Sequence, residues 1–273
     1  MEPVALGASL RRVSRRGALP EDDRRWVFNR LAGDYRRRPA YPSTLAERLL
    51  ALAGGPGARV ADLGAGIGHL AIPLGQLGGR VHAVEPARAM LAELVSRAGE
   101  GVVPVHAAAE ATGLPTAAFD LVVLADALQW VDPRRGGSEA ARLLAPGGTL
   151  AVVTSRLADT PFLSALAARI ARANFKARPL LPRVAQLFAE AGLRAPAEER
   201  FHGEASLEGE DLDAVLRSLS FVGPALGPVA LAALLADARA LAAAHGGAVW
   251  RREITLAWAR RPGSRAQAPA RNG

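Results

Sequence analysis

The sequence contains no cysteine and only one lysine, Lys176. The lack of cysteine excludes disulfide bonds, thiol nucleophiles and cysteine metal ligands. Long apolar runs are missing too, because Pro228, Asp237 and Arg239 interrupt the richest one, residues 226–244. An arginine-rich start with no apolar segment behind it predicts no signal peptide. We therefore expect a cytoplasmic protein without membrane contact.

The formal net charge is +8, and nearly all of the positive charge is arginine. A basic chain suggests a nucleic-acid partner. Much of the excess, however, falls within residues 11–16 and 251–271, which we interpret as solvated ends. A nucleic-acid enzyme is therefore disfavoured but stays an alternative, whose signature would be binding that weakens steeply with salt.

Short apolar segments alternate with helical patterns over the middle of the chain. The segments at 59–63, 80–85, 102–106, 119–125 and 149–154 predict strands, and residues 70–77, 90–98 and 139–144 predict helices, with a turn at 146–148. This alternation predicts an α/β fold with a Rossmann-like, doubly wound, mostly parallel sheet.

The chain outside this core predicts a cap and a lid. Trp26, Phe28, Leu31 and Tyr35 fall at helical spacings, and further helical patterns follow residue 156. Residues 198–202 predict a sixth strand. The predicted organisation is an N-terminal arm and cap helix at 1–42, a domain at 43–260 with its core at 56–155, helical lid insertions at about 156–182 and 207–246, and a disordered tail at 261–273.

The central motif is Asp62-Leu63-Gly64-Ala65-Gly66-Ile67-Gly68, which follows a strand and opens a helix. Its glycines permit tight turns, and the helix start offers unpaired N–H groups to a ligand. Many nucleotide-binding folds share such loops. Asp62 would repel a pyrophosphate, so it favours a ligand with a cationic amino group, such as S-adenosylmethionine, over NAD. Glu85, at the end of the second strand, can accept hydrogen bonds from ribose hydroxyls.

Together these residues resemble the class I S-adenosylmethionine-dependent methyltransferases. Residues 62–68 match that family's glycine motif, Glu85 its ribose-binding acid, and 119–123 its fourth strand. Gln129-Trp130 is similar to a stretch in the small-molecule, type 11-like branch that includes trans-aconitate and malonyl-carrier-protein carboxyl methyltransferases. The resemblance implies a seven-stranded sheet whose last strand, near 250–259, is antiparallel.

The resemblance also implies a set of contacts. The cofactor S-adenosylmethionine would be bound by Tyr35, Arg38, Asp62, Gly64, Ala65, Gly66, Gly68, Glu85, Pro86, Met90, Ala108, Ala109, Glu110, Ala125, Asp126 and Leu128. Arg38 would meet the methionine carboxylate. A small-molecule acceptor would be bound by Tyr41, Gln129, Trp130, Arg134, Arg217 and Ser220.

The candidate catalytic residues are Gln129 and His202. Gln129 replaces the histidine that many relatives carry, which favours a carboxylate acceptor, since a carboxylate needs no general base. His202 is the candidate base for a hydroxyl or carbon acid, and no metal is predicted. We thus expect methyl transfer to a small molecule by O-, C- or N-methylation. The alternatives are a nucleic-acid methyltransferase, a cofactor-binding protein without transfer activity, and a dehydrogenase, which Asp62 disfavours.

Overall fold

The structure is a computed structural model that describes residues 27–175, 181–193 and 195–263. Residues 1–26 of the predicted arm and cap (1–42), residues 176–180 of the first lid insertion, and residues 264–273 of the predicted tail (261–273) lie outside these ranges. The described strands are β1 (Arg59–Leu63), β2 (Arg80–Val84), β3 (Val102–Val105), β4 (Phe119–Ala125), β5 (Leu144–Leu157), β6 (Ala197–Leu207) and β7 (Ala248–Arg260).

These strands form one seven-stranded sheet in the order β3-β2-β1-β4-β5-β7-β6. The first five strands are parallel to one another, and β7 lies antiparallel between β5 and β6. The predicted fold class is therefore confirmed. The strand order reverses at the junction of β1 and β4, because β2 and β3 lie on one side of it and β5 on the other. Open α/β sheets bind their ligands at such a reversal.

The described helices are α1 (Phe28–Tyr35), α2 (Ser43–Leu52), α3 (Ala71–Gln76), α4 (Arg88–Arg97), α5 (Pro133–Leu143), α6 (Pro161–Ala173), α7 (Val184–Glu190), α8 (Glu210–Ser218) and α9 (Pro228–Ala244), with a 3₁₀ turn at Leu128–Trp130. Apolar side chains of α2 and α3 bury one face of the sheet, and those of α5 and α7 bury the other. None of these helices is both long enough and apolar enough to cross a membrane.

Three predicted boundaries were wrong. α5 begins at Pro133 rather than 139 because Asp132 caps it, accepting the N–H groups of Arg134 and Arg135 at 3.0 and 2.9 Å. The predicted turn at 146–148 lies inside β5, which starts at Leu144 and shifts register against β4 there. β6 extends to Leu207 because β7 pairs with it along its whole length.

A third apolar cluster lies beyond the sheet and joins α6, α8 and α9 to the start of β7. The cap helix α1 packs against α8 and α4. Its Leu31 and Ala32 bury against Ile67 of the glycine motif and Met90 of α4. The cap therefore covers the glycine motif directly.

Candidate active site

A cleft with about 780 Å³ of empty space opens at the carboxyl ends of β1, β2 and β4. Part of this space is continuous with solvent. The cleft lies under α1, at the edge of the sheet where the chain turns from strands into helices. Its lining residues are Phe28, Tyr35, Tyr41, Asp62, Gly64, Ala65, Gly66, His69, Leu70, Glu85, Pro86, Met90, Ala109, Ala125, Asp126, Ala127, Trp130 and Val131.

The floor of the cleft is the glycine motif. Gly64 and Gly66 have φ values of +81° and +57°, which favour glycine over residues with a side chain. A Cβ on Gly64 would lie 2.6 Å from the Cβ of Ala127, so that this approach to the end of β4 requires glycine. The loop backbone is thus exposed to a ligand from above.

Glu85 fixes the shape of this loop. Its two carboxylate oxygens accept the N–H groups of Gly66 at 2.9 Å and of Ala87 at 2.7 Å. The side chain is buried, yet it lines the cleft. Hydrogen bonds that backbone N–H groups donate to a carboxylate hold both partners rigidly. Glu85 therefore offers a preorganised carboxylate to the cleft, as the sequence predicted.

Asp62 is the most unusual residue of the site. It is 1% exposed, and neither carboxylate oxygen has a hydrogen-bond partner among the described residues. Burial, and then the nearby charge of Glu85, raise the pKa of Asp62 from 3.8 to about 7. The backbone N–H of Ala71 interacts with the carboxylate outside hydrogen-bond geometry and lowers the pKa only in part. A buried carboxylate without a partner is costly unless a ligand supplies one.

Aromatic side chains form the roof. The ring of Tyr35 stacks on His69, with the ring centres 5.8 Å apart, and Phe28 meets Trp130 edge to face at 5.0 Å. Burial, followed by the charges of Arg97, Arg38 and Arg252, lowers the pKa of His69 to about 4. His69 is therefore neutral near pH 7 and acts as part of an apolar lining.

Arginines fasten this roof to α8. Arg38 donates to the Oγ and the carbonyl of Ser218, both at 2.8 Å, and Arg217 pairs with Asp34 at 2.9 Å. Arg217 also contacts Glu210. Neither arginine lines the cleft. Arg38 was predicted to contact the cofactor carboxylate, and Arg217 the acceptor. In this structure both arginines instead make contacts that join the cap to α8.

A hydrogen-bonded group stands beside the glycine motif. Asp126, just after β4, adopts φ +48° and accepts hydrogen bonds from Tyr41 Oη at 2.8 Å and from Ser155 Oγ and N–H at 2.7 Å each. Burial and the negative charge of Asp126 raise the pKa of Tyr41 well above its usual value. Tyr41 therefore remains a protonated donor to Asp126.

Most of the predicted cofactor residues meet in the cleft. The structure brings together Tyr35, Asp62, Gly64, Ala65, Gly66, Glu85, Pro86, Met90, Ala109, Ala125 and Asp126, together with the predicted acceptor residues Tyr41 and Trp130. The sequence missed Phe28, His69, Leu70, Ala127 and Val131, which also line it. Two of them could have been found from the sequence. Phe28 lies at helical spacing from Tyr35, and His69 directly follows the glycine motif.

The other predicted residues lie elsewhere. Gly68, Ala108 and Leu128 are buried outside the lining, and Ser220 follows α8. Glu110 accepts the N–H of Asp132 at 3.1 Å, and Arg134 is exposed, 4.0 Å from Glu190. None of these residues is part of the cleft lining.

Both predicted catalytic residues also fall outside the lining. Gln129 donates to the carbonyl of Asp126 at 2.8 Å, and so it stabilises the turn after β4. His202 is exposed on β6, the edge strand, and pairs across from Glu253. We therefore withdraw His202 as a candidate base. Within the described ranges, no group of three or more His, Asp or Glu side chains is arranged to hold a metal ion.

The chain is similar in sequence and in fold to known methyltransferases. Residues 61–152 match a methyltransferase domain family. The structure superposes on a protein from Anaeromyxobacter dehalogenans assigned as a type II methyltransferase, with a TM-score of 0.62 and 25% identity, over 82% of this chain and 99% of that one. A protein from Anabaena variabilis, assigned as a methyltransferase from an antibiotic biosynthesis pathway, shares the fold at a TM-score of 0.54 and 21% identity, over 78% and 96% of the two chains.

Relatives are also found by sequence. The chain is 40% identical over 127 residues to an uncharacterised methyltransferase of Mycobacterium tuberculosis, covering 46% of this chain and 51% of that protein. It is 35% identical over 140 residues to the malonyl-[acyl-carrier protein] O-methyltransferase of Geobacter sulfurreducens, covering 47% and 52%. The alignments thus span about half the length of these relatives. Residues 61–152 are thus similar to a methyltransferase domain, and the structure shares its fold with proteins assigned as methyltransferases.

Proposed function

We propose that this protein transfers a methyl group from S-adenosylmethionine to a small-molecule acceptor. The observation that carries the proposal is Asp62, a buried carboxylate that lines the cleft beside the glycine motif and has no hydrogen-bond partner in the described part of the chain. The cofactor's amino group is a cation with N–H donors, so it would satisfy both the charge and the hydrogen bonds of Asp62. A dinucleotide would instead bring phosphates toward this negative charge.

The rest of the cleft fits the same cofactor. Glu85 lines the cleft, where its carboxylate would accept hydrogen bonds from ribose hydroxyls, and Gly64 and Gly66 line the part that would hold the methionine portion. Pro86, Met90, Ala109 and Val131 offer an apolar lining for adenine. The missing acid at Ala108 is consistent with this apolar environment.

When bound, S-adenosylmethionine supplies a methyl group already activated on a sulfonium. The protein then has to hold the acceptor in line with that methyl and keep water away. Phe28, Tyr35 and Trp130 form an aromatic roof suited to excluding water, and the arginine contacts with α8 keep it in place. The alignment with a malonyl-carrier-protein O-methyltransferase raises a carboxylate acceptor as one candidate.

Calorimetric titration with S-adenosylhomocysteine, with NAD in parallel, tests the cofactor. We expect a Kd of about 1 µM, near −8 kcal/mol, for the first and no binding of NAD. Glu85→Ala should weaken binding by about ten- to a hundredfold, because hydrogen bonds to charged groups contribute roughly 1.5–3 kcal/mol.

Glu139→Gln is the matched control. Glu139 is also a buried carboxylate that accepts a backbone N–H, from Thr112 at 2.8 Å, but it lies outside the cleft. This variant should bind S-adenosylhomocysteine as the wild type does. Preference for NAD, or unchanged affinity in folded Glu85→Ala, would contradict the proposal.

A further inference from the structure

The acidic character of the cleft bears on the acceptor. Three carboxylates line it, Asp62, Glu85 and Asp126, whereas the described lining residues include no lysine or arginine. His69 adds no positive charge near pH 7 because its pKa is lowered to about 4. A carboxylate acceptor would therefore enter a site that repels it.

Two arginines near the cleft, Arg38 and Arg252, donate hydrogen bonds to other parts of the protein. Arg38 is bonded to Ser218 and Tyr35. Arg252 lies 5.4 Å from the ring centre of Tyr41, and its Nη2 donates to the carbonyls of Pro39 and Ala40 at 3.0 and 2.5 Å. The Nε atom of Arg252 is buried and has no hydrogen-bond partner among the described residues, but Arg252 is not part of the cleft lining.

Asp126 has the capacity to accept one more proton donor. A carboxylate offers about four lone-pair sites. Tyr41 and Ser155 Oγ occupy Oδ2, and the Ser155 N–H occupies one site of Oδ1. One lone-pair site on Oδ1 therefore remains. Asp126 lines the cleft and is partly exposed. Three donors hold this carboxylate in one orientation, as a positioned base requires.

We propose that Asp126 is the general base of this site and that the acceptor is a hydroxyl or amine rather than a carboxylate. The inference rests on the proposed function. Asp126 takes the proton of the acceptor O–H or N–H while a lone pair of that atom forms the new bond to the methyl carbon. The electron pair of the breaking C–S bond stays on sulfur, and Asp126 ends neutral. Tyr41 and Ser155 position the base.

The test compares two ligands that differ where the methyl group would be. S-adenosylhomocysteine has no group there, whereas sinefungin carries an ammonium. If Asp126 faces the transferable methyl, wild-type protein should bind sinefungin about tenfold more tightly, because the ammonium gains a charge-assisted hydrogen bond. Asp126→Asn should lose this preference, so that its affinities for the two ligands differ by less than about twofold.

Glu139→Gln is the control, since it removes a buried carboxylate that lies outside the cleft, and it should retain the preference for sinefungin. The wild-type preference tests the inference even if Asp126→Asn does not fold. Equal affinities in the wild type, or a preference that survives in folded Asp126→Asn, would overturn the role of Asp126. A methyl ester formed from an acid that lacks hydroxyl and amine groups would overturn the acceptor class. Failure of both ligands to bind would instead refute the proposed function.

Discussion

Replacing Asp62 with asparagine should make the ligand-free protein more stable and the complex weaker. In the folded protein the pKa of Asp62 is raised from 3.8 to about 7. The folded state therefore holds the proton more tightly than the unfolded state, and stability falls as the pH rises from about 4 to about 7. Each tenfold change in the ionisation constant corresponds to about 1.36 kcal/mol. Ionised Asp62 therefore lowers the free energy of unfolding at pH 8 by about 4 kcal/mol at most.

Water in the open part of the cleft relaxes some of this cost, so we expect Asp62→Asn to gain about 2 kcal/mol at pH 8. For a chain of this size that gain corresponds to roughly 4–8 °C in Tm. The gain should disappear near pH 4, where Asp62 is protonated in both states. Because the lowered pKa of His69 makes stability rise with pH over roughly the same interval, the variant must be compared with the wild type at each pH.

Binding should change in the opposite direction. At pH 8, Asp62→Asn should bind S-adenosylhomocysteine about ten- to a hundredfold more weakly, because the ligand's ammonium loses its charged partner. Wild-type affinity should itself fall about fivefold between pH 7 and pH 6, since binding then requires Asp62 to release a proton. Thermal unfolding and calorimetry measure the two effects. If Asp62→Asn is less stable than the wild type at pH 8, the claim that ionised Asp62 destabilises the ligand-free protein is wrong. If the variant is more stable but binds with unchanged affinity, the claim that Asp62 binds the cofactor is wrong.

Three further predictions concern the surroundings of the cleft. Arg217→Met breaks the ion pair with Asp34, so α1 should detach more readily; we expect about threefold weaker binding of S-adenosylhomocysteine and faster amide exchange in α1. Glu139→Gln should cost about 2 kcal/mol in chemical denaturation without changing affinity, because the side chain bonds Thr112 and Arg142 outside the cleft. Gly136→Ala should lower stability by roughly 1–3 kcal/mol, since its Cβ would lie 2.5 Å from Cγ1 of Val131, and a wild-type denaturation curve would contradict this close packing.

The parallel half of the fold was predictable because its signals are local. Buried strands such as β4 are unbroken apolar runs, and each helix follows within a few residues. The start of α5 was missed because the two glycines, Gly136 and Gly137, weaken the helical pattern. The structure shows that they allow close packing against Val131 and α7. A pattern read along one segment does not reveal a requirement set by its neighbours.

The site divides in the same way. Asp62, Glu85 and the glycine motif were found from the sequence because a strand end and a tight turn place them whatever the rest of the chain does. The partners of Arg38 and Arg217 were not predicted, since Ser218 lies 180 positions from Arg38 and Asp34 lies 183 from Arg217. An arginine near a predicted anion site gives no sign that a distant residue already holds it.

The sequence by itself determined the order of strands and helices, the glycine motif and the two carboxylates beside it, because backbone sterics and hydrophobic periodicity act over short stretches. Only the tertiary structure decided that β7 lies between β5 and β6, that α8 holds the cap, and that Asp126 meets Tyr41 and Ser155. These arrangements depend on side chains that come together when remote segments bury their apolar faces. The physical reason is that packing, unlike local conformation, is a property of the whole chain.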